Sequence, residues 1–400
     1  MKVLLVHDYG TAIGGAELMM LALRDGLRQR GHDARLFTTR AEGTGMQADY
    51  DCFGTTSRYR TLLQTANPWA FWRLRQVLDE FQPDVVHVRM FLTQLSPLIL
   101  PLLKPFPSLY HLAWYRPICP IGTKMLPNGT ACTNPWGKAC LDCLPVWDWS
   151  ALMLQMNLWQ HWRDAFNLIV ANSGAVKQQL ISQGISPIEV VWNGIPVRPV
   201  RPALTSPPTV VFAGRLVPEK GIDLLLDAFA KVVEQIPKAR LLIAGDGTER
   251  DRILSLIDAL NLHPNVSLLG HLSRSDLEQA FSTAWVQVVP SRWAEPFGIV
   301  AAEAMMRGTA VIASRAGGLA EIVRDGQTGF LVPPGEVEPL TEVLLKVLQN
   351  RELAEEMGQL GRTIALSQFS EGVFVDRFIE LYQQLLQNST HFNPDWEASY

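Results

Sequence analysis

Short apolar runs alternate along the chain with longer stretches in which apolar residues return every three or four positions. In the first half, Val, Ile, Leu and aromatic residues dominate 2–8, 34–39, 84–89, 108–114, 168–173 and 189–194. Runs that are apolar almost throughout suit strands buried on both faces of a parallel sheet. Between the first two, Ala16, Met19, Met20, Leu23 and Leu27 fall on one helical face, and Gly31 stands where such a helix would stop. That is a βαβ unit. A proline-rich stretch without either period follows, and beyond it the rhythm restarts with TVVFAGR, ARLLIAGDG, NVSLLGH, WVQVVPS, AVIASRAGG and GFLVPP, separated by helical patterns. The pattern predicts α/β architecture: a doubly wound domain over 1–196, a linker at 197–209, and a second doubly wound domain over 210–375. Residues 376–400 read as a terminal helix and polar tail that return toward the first domain.

Composition agrees with this division. At 400 residues the chain exceeds the size at which one hydrophobic core keeps growing. A net charge of -4 gives no footprint for nucleic acid. The apolar start MKVLLVHDYG meets Asp8 too early for a signal peptide, and 95–103 falls short of the roughly 20 residues a membrane span needs. A cytoplasmic protein is expected.

Candidate chemistry lies at the strand ends. Glu295 and Glu303 flank Pro-Phe-Gly in SRWAEPFGIVAAEAM. Pro296 pushes Glu295 out of the helical region, so the helix starts near Phe297 or Gly298. The free N–H groups of Phe297, Gly298 and Ile299 would face an anion such as a diphosphate. Glu303, more than a turn further on, offers two acceptor oxygens to the paired hydroxyls of a ribose, and Glu295 reaches a further hydroxyl-bearing group. An isolated glutamate is ordinarily a solvated surface residue, but the helix around Glu303 is otherwise nearly all apolar. Arg215 and Lys220, between a strand and a helix in AGRLVPEKG, supply charge for a departing diphosphate. Asp49-Tyr50-Asp51 follows Met46-Gln47-Ala48 and no strand, so it reads as a chance Asp-x-Asp. In the first half, Gly10, Gly14 and Gly15 do not form G-x-G-x-x-G, although Gly14 and Gly15 still permit close backbone contact with a phosphate or sugar. His111, ending SLYHLAW, could meet the same ligand, or be an ordinary structural histidine.

Two features stand apart. Cys119, Cys132, Cys140 and Cys143 crowd into an insertion at 115–147 with spacing C-x12-C-x7-C-x2-C. In a cytosolic chain this suits a tetrahedral structural Zn²⁺, with an iron–sulfur cluster second and four free thiols as the plain alternative. Trp69, Phe71, Trp72, Arg73 and Arg75, with the aromatic run at 146–162, could touch a membrane surface or simply serve the core.

Taken in order, GGAELMMLALRDGLRQRGHDARLFTT, VWNGI, VVFAGRLVPEKGIDLLLDAFA, LLIAGDG, VVPSRWAEPFGIVAAEAMMRGTAVIAS, AGGLAEIV and DGQTGFLVPPG resemble the family 4 glycosyltransferases, retaining enzymes of the GT-B fold. The resemblance runs through nearly the whole chain and is densest from 210 to 335. It implies two Rossmann-like domains facing across a cleft, a nucleotide-sugar donor such as a UDP- or GDP-sugar on the C-terminal domain, and a hydroxyl acceptor, a lipid-linked saccharide among the candidates, on the N-terminal side. Glu295 and Glu303 are similar to the family's E-x7-E pair, Arg215 and Lys220 to its basic pair, Gly14 and Gly15 to its glycine loop, and His111 to a histidine near the donor sugar. Members generally need no catalytic metal. Other readings are a nucleotide-sugar 2-epimerase of the same fold and a non-catalytic sugar-nucleotide binder.

Overall fold

The computed structural model describes residues 1–10, 15–41 and 48–389. The chain forms two units: residues 1–127, 132–194 and 371–400 make the first, and 128–131 with 195–370 the second.

The first unit is built on seven parallel strands: β1 (Lys2–Val6), β2 (Asp33–Thr39), β3 (Tyr50–Cys52), β4 (Val85–Val88), β5 (Ser108–His111), β6 (Leu168–Ala171) and β7 (Ile188–Val190). Their order is β3-β2-β1-β4-β5-β6-β7. The apolar runs are central strands because both faces are covered: Val3 to Val6 and Val85, Val86 and Val88 are wholly or almost wholly enclosed. β3 is the strand the apolar pattern does not announce. Only Tyr50 and Cys52 point inward, while Asp51 pairs with Arg40 at 2.7 Å and Asp49 accepts from Leu36 N–H and Arg28, each at 2.8 Å. The Asp-x-Asp letters therefore serve the sheet edge.

The helix Glu371–Ser389 belongs to this first unit and packs on the helix Gly15–Gln29. Gly26 makes the approach possible, since a Cβ there would meet Val375 at 2.6 Å. Arg30 closes the contact with Asp376 at 2.6 Å. Phe374, Phe378 and Tyr382 of the helix Glu371–Ser389 are buried.

The second unit has six parallel strands: β8 (Thr209–Ala213), β9 (Arg240–Ala244), β10 (Val266–Gly270), β11 (Val286–Val289), β12 (Ala310–Ser314) and β13 (Gly329–Val332). They run β10-β9-β8-β11-β12-β13 around a core that includes Phe212, Leu225, Phe229, Ile243, Val288 and Ile312. In both sheets the order reverses at one place, between β1 and β4 and between β8 and β11. Loops leaving neighbouring strands there diverge and leave room for a ligand.

The proline-rich stretch expected as a linker is strapped onto this second unit. Arg201 is buried, pairs with Glu355 at 2.9 Å and donates to the Gly308 carbonyl at 3.0 Å, while Leu204 N–H donates to Glu355 at 2.6 Å. Prolines remove backbone donors, so side chains of the neighbouring helix and the Arg201 fork do the anchoring. Among the described residues no helix is long and apolar enough to cross a membrane.

Candidate functional site

At the reversal point of the second sheet, the loops after β8 and β11 are tied together. Arg292 grips Asp223 with both terminal nitrogens, at 2.6 and 2.8 Å, and donates to the Pro218 carbonyl at 3.0 Å. Gly221, at φ 67°, allows the close pass, because a Cβ there would lie 2.2 Å from the Pro290 carbonyl oxygen. Within this knot, Lys220 Nζ meets Glu295 Oε1 at 2.5 Å, and Ser291 Oγ donates to the same oxygen at 2.7 Å. Lys220 also lies over the Trp293 ring, 5.4 Å from its centre. Arg215 is exposed and reaches Glu219 at 3.7 Å. The two basic residues and Glu295 thus come from adjacent strand ends.

The helix after Glu295 runs Ile299–Arg307 and is preceded by Gly298 at φ 102°, where a Cβ would strike Leu319 at 2.4 Å. Gly317 and Gly318 press on the same loop: Gly318 N–H donates to the Glu295 carbonyl at 2.7 Å, and a Cβ on Gly317 would lie 2.3 Å from that oxygen. The Glu-Pro-Phe-Gly segment is therefore fixed by close backbone packing. Phe297 is buried, so its side chain supports the loop and its backbone is what the helix start can offer.

Glu303 sits one turn before Arg307 on that helix. Burial raises its pKa, opposed by Arg307, Arg198 and Arg274 in that order. Arg307 in turn donates to Gln287 at 2.5 Å and pairs with Glu278 at 3.3 Å, and Arg198 lies 3.5 Å from Glu278. Only part of this cationic setting of Glu303 is visible in the sequence. Arg307 was in view four positions on, but Arg198 sits in the presumed linker and only folding brings it here.

In the first unit, Gly15 opens the helix Gly15–Gln29, whereas Gly14 lies outside the described residues. His111 is not on an open strand end. It is fully enclosed: Arg89 lies 2.9 Å from its ring nitrogens, His87 Nε2 is 3.3 Å from Nδ1, and Phe374 and Phe378 pack on the ring. Residues 374 and 378 sit on the C-terminal helix, so nothing near His111 in the sequence foretold the cover. Burial, with Arg89 second, holds the pKa of His87 and His111 well below the ordinary value. Arg89 is enclosed too, and its pKa falls to about 10.

A polar recess of about 250 Å³ opens beside this sheet, lined by Tyr9, Arg60, Thr93, Trp114, Arg116 and Asp148 among others. Buried Arg116 donates to Gln64, Gln155 and the Leu92 carbonyl, all neutral, and its pKa falls to about 10. Pro120, Ile121 and Leu144 complete the wall. Behind them the four cysteines of the insertion line one small cavity.

The family model for glycosyl transferases group 1 matches residues 197–364, and that for glycosyltransferase family 4 matches residues 13–198. The chain belongs to glycosyltransferase family 4. Glycogen synthase of Mycobacterium tuberculosis is 31% identical over 232 residues, 56% of this chain and 56% of that one. Sucrose-phosphate synthase from Thermosynechococcus elongatus superposes with a TM-score of 0.72 at 22% identity, covering 97% of this chain and all of that one. HepE of Anabaena, solved in complex with UDP and glucose, gives 0.70 at 21% identity, over 96% of this chain and all of that one. These likenesses show the GT-B fold of this family 4 member. The chain spans about half the length of the curated relatives it matches, and 24% of one of them.

The enclosed histidines of this family 4 member set a pH dependence. His7, buried next to Arg89, has its pKa lowered to about 3, chiefly by burial and then by Arg89. It is neutral in the folded protein, whereas the unfolded chain takes up a proton below about pH 6.5. Folding therefore loses stability as pH falls below that value. His7→Asn is expected to flatten the decline between pH 6 and 4.5 by about 1.4 kcal/mol per pH unit, read by urea unfolding. An unchanged slope would mean that the native state already carries the proton.

Proposed function

We propose that the protein transfers a sugar from a nucleoside-diphosphate sugar to a hydroxyl acceptor, with retention at the anomeric carbon, in the assembly of a polysaccharide or glycolipid. The observation that carries this reading is the knot at the β8/β11 strand ends, where Lys220, Arg215 and Glu295 stand beside a glycine-started helix. The diphosphate rests on the N–H groups at that helix start, and Glu303 takes the ribose hydroxyls. As the anomeric C–O bond breaks, its electron pair goes to the diphosphate oxygen, where Arg215 and Lys220 stabilise the charge without a metal, and the acceptor hydroxyl forms the new C–O bond on the same face while passing its proton to that diphosphate oxygen. Glu295 holds a donor-sugar hydroxyl. One of its oxygens already accepts from Lys220 and Ser291, which makes it a poor nucleophile and favours a short-lived cationic carbon over a covalent intermediate. The HepE complex with UDP and glucose supports a UDP-sugar as the first donor to try and a GDP-sugar as the second. Turnover of donor only when an acceptor is supplied separates transfer from 2-epimerisation and from binding alone.

A peripheral membrane contact, at the cytoplasmic face, is favoured by exposed apolar groups on neighbouring helices of the first unit. Trp69 and Trp72 are 56% and 63% exposed, and Leu62, Val146 and Trp147 are 64%, 67% and 88% exposed. Thr61 ties two of these helices together through Asp148 at 2.7 Å, and Arg75 lies against Trp72. Aromatic rings among arginines suit an anionic lipid surface and a lipid-linked saccharide acceptor.

Replacing both Arg215 and Lys220 by Ala should lower kcat by about 100-fold or more in donor-turnover assays; full turnover would remove the pair from the mechanism. Glu303→Gln should chiefly raise the donor KM. Because the pKa of Glu303 is raised, donor affinity in the parent protein should weaken as pH is lowered through that pKa, and titration calorimetry should find this dependence gone in the variant. Co-sedimentation with phosphatidylglycerol vesicles, and not with phosphatidylcholine, is expected, and Trp69→Glu with Trp72→Glu should abolish it.

A further inference from the structure

The insertion that walls the recess has almost no regular structure. Between Cys119 and Cys143 there is one short helical turn, Lys138–Asp142, and the remainder is turns, bends and irregular chain with bridge residues at 125 and 131. Cys119 heads a turn that closes with Gly122 N–H on its carbonyl at 2.9 Å. Cys132 is pinned by its N–H to the Lys124 carbonyl at 2.8 Å, and Lys124 Nζ returns to the Asn134 carbonyl at 2.6 Å. Cys140 and Cys143 are linked by the Cys143 N–H to the Cys140 carbonyl at 3.1 Å. Three separate turns thus deliver four thiols to one place.

That place is a cavity of about 20 Å³ lined by all four cysteines. A volume of about 10–15 Å³ already admits one water-sized particle. Three of the four cysteines are only half-buried, and all four are free thiols. Half-exposed loops without an apolar core do not gather four cysteines along one cavity unless something there repays the ordering entropy. Among the described residues no three such groups already stand where they could hold an ion, so binding requires the sulfurs to move inward.

We propose that Cys119, Cys132, Cys140 and Cys143 bind one structural Zn²⁺ as tetrahedral thiolates and thereby staple the inner wall of the recess. Each thiol releases its proton to solvent as its Zn–S bond forms, at about 2.3 Å, with no change of oxidation state. Pro120 and Ile121, next to Cys119, line both the cavity and the recess, and Leu144, next to Cys143, lines the recess. The ion therefore fixes residues on both sides of the recess wall. Only the nucleotide control in the test below rests on the function proposed above; the zinc assignment does not.

The full chain, purified without chelator, is measured by elemental analysis. The expected result is about one zinc per chain, release of that zinc by a thiol-modifying reagent, and d–d bands of a tetrahedral thiolate site after Co²⁺ exchange. Cys140→Ser with Cys143→Ser should reduce zinc below about a fifth of an atom per chain and speed proteolysis within 119–143 by about tenfold. Its nucleotide-induced thermal shift, which reads the other unit, should be kept, and that control separates lost metal from lost fold. Less than about a tenth of a zinc per chain with all four thiols titrating freely, a disulfide between any two of them, or iron with cluster absorbance in place of zinc would each overturn the assignment.

Discussion

A carboxylate taken almost wholly out of water needs a cation, and Glu295 has Lys220. Removing either partner would leave the other charge in a poorly solvated site, a loss that typically costs several kcal/mol. The pair spans the reversal point of the second sheet, so it fixes the loop after β8 against the loop after β11. Around it the Arg292–Asp223 fork and the glycine at 221 hold the two backbones within contact. The ion pair, the helix start and the basic residues are one assembly, since none of them keeps its position if the loops separate.

The same geometry explains how much of the site was legible in the sequence. Strands were readable because both faces of a parallel sheet are covered, which leaves continuous apolar runs such as 3–6 and 310–313. The second unit's chemistry was readable because it sits on residues directly after those strands, where the glycine at 298 and Pro296 set helix boundaries. β3 escaped because it is a three-residue edge strand with an acid at its centre. The setting of Glu303 was half visible, through Arg307 one turn away, and half hidden, since Arg198 comes from a stretch whose prolines suggested a loose connector.

His111 teaches a different lesson. Its strand, its position and its residue type were all read from local pattern, yet its environment is made by a helix more than 260 positions later. Burial of a polar residue is a property of distant sequence, and no local period encodes it. Arg89 and Arg116 were passed over for the same reason: a strand-end or loop arginine is ordinarily exposed, and only the folded chain encloses these two.

The first unit is discontinuous, and that has a consequence for synthesis. Its sheet is complete by residue 190, but the helix that covers His87 and His111 is encoded after the whole of the second unit. A ribosome delivers residues in order, so the first sheet must wait with an apolar face open while the intervening 176 residues, 195–370, emerge and fold. During that interval Gly26 and the rings of His87 and His111 lack their native cover. The nascent chain is then a natural client for chaperones, and a premature stop near residue 370 would release a protein whose second unit is finished and whose first is not.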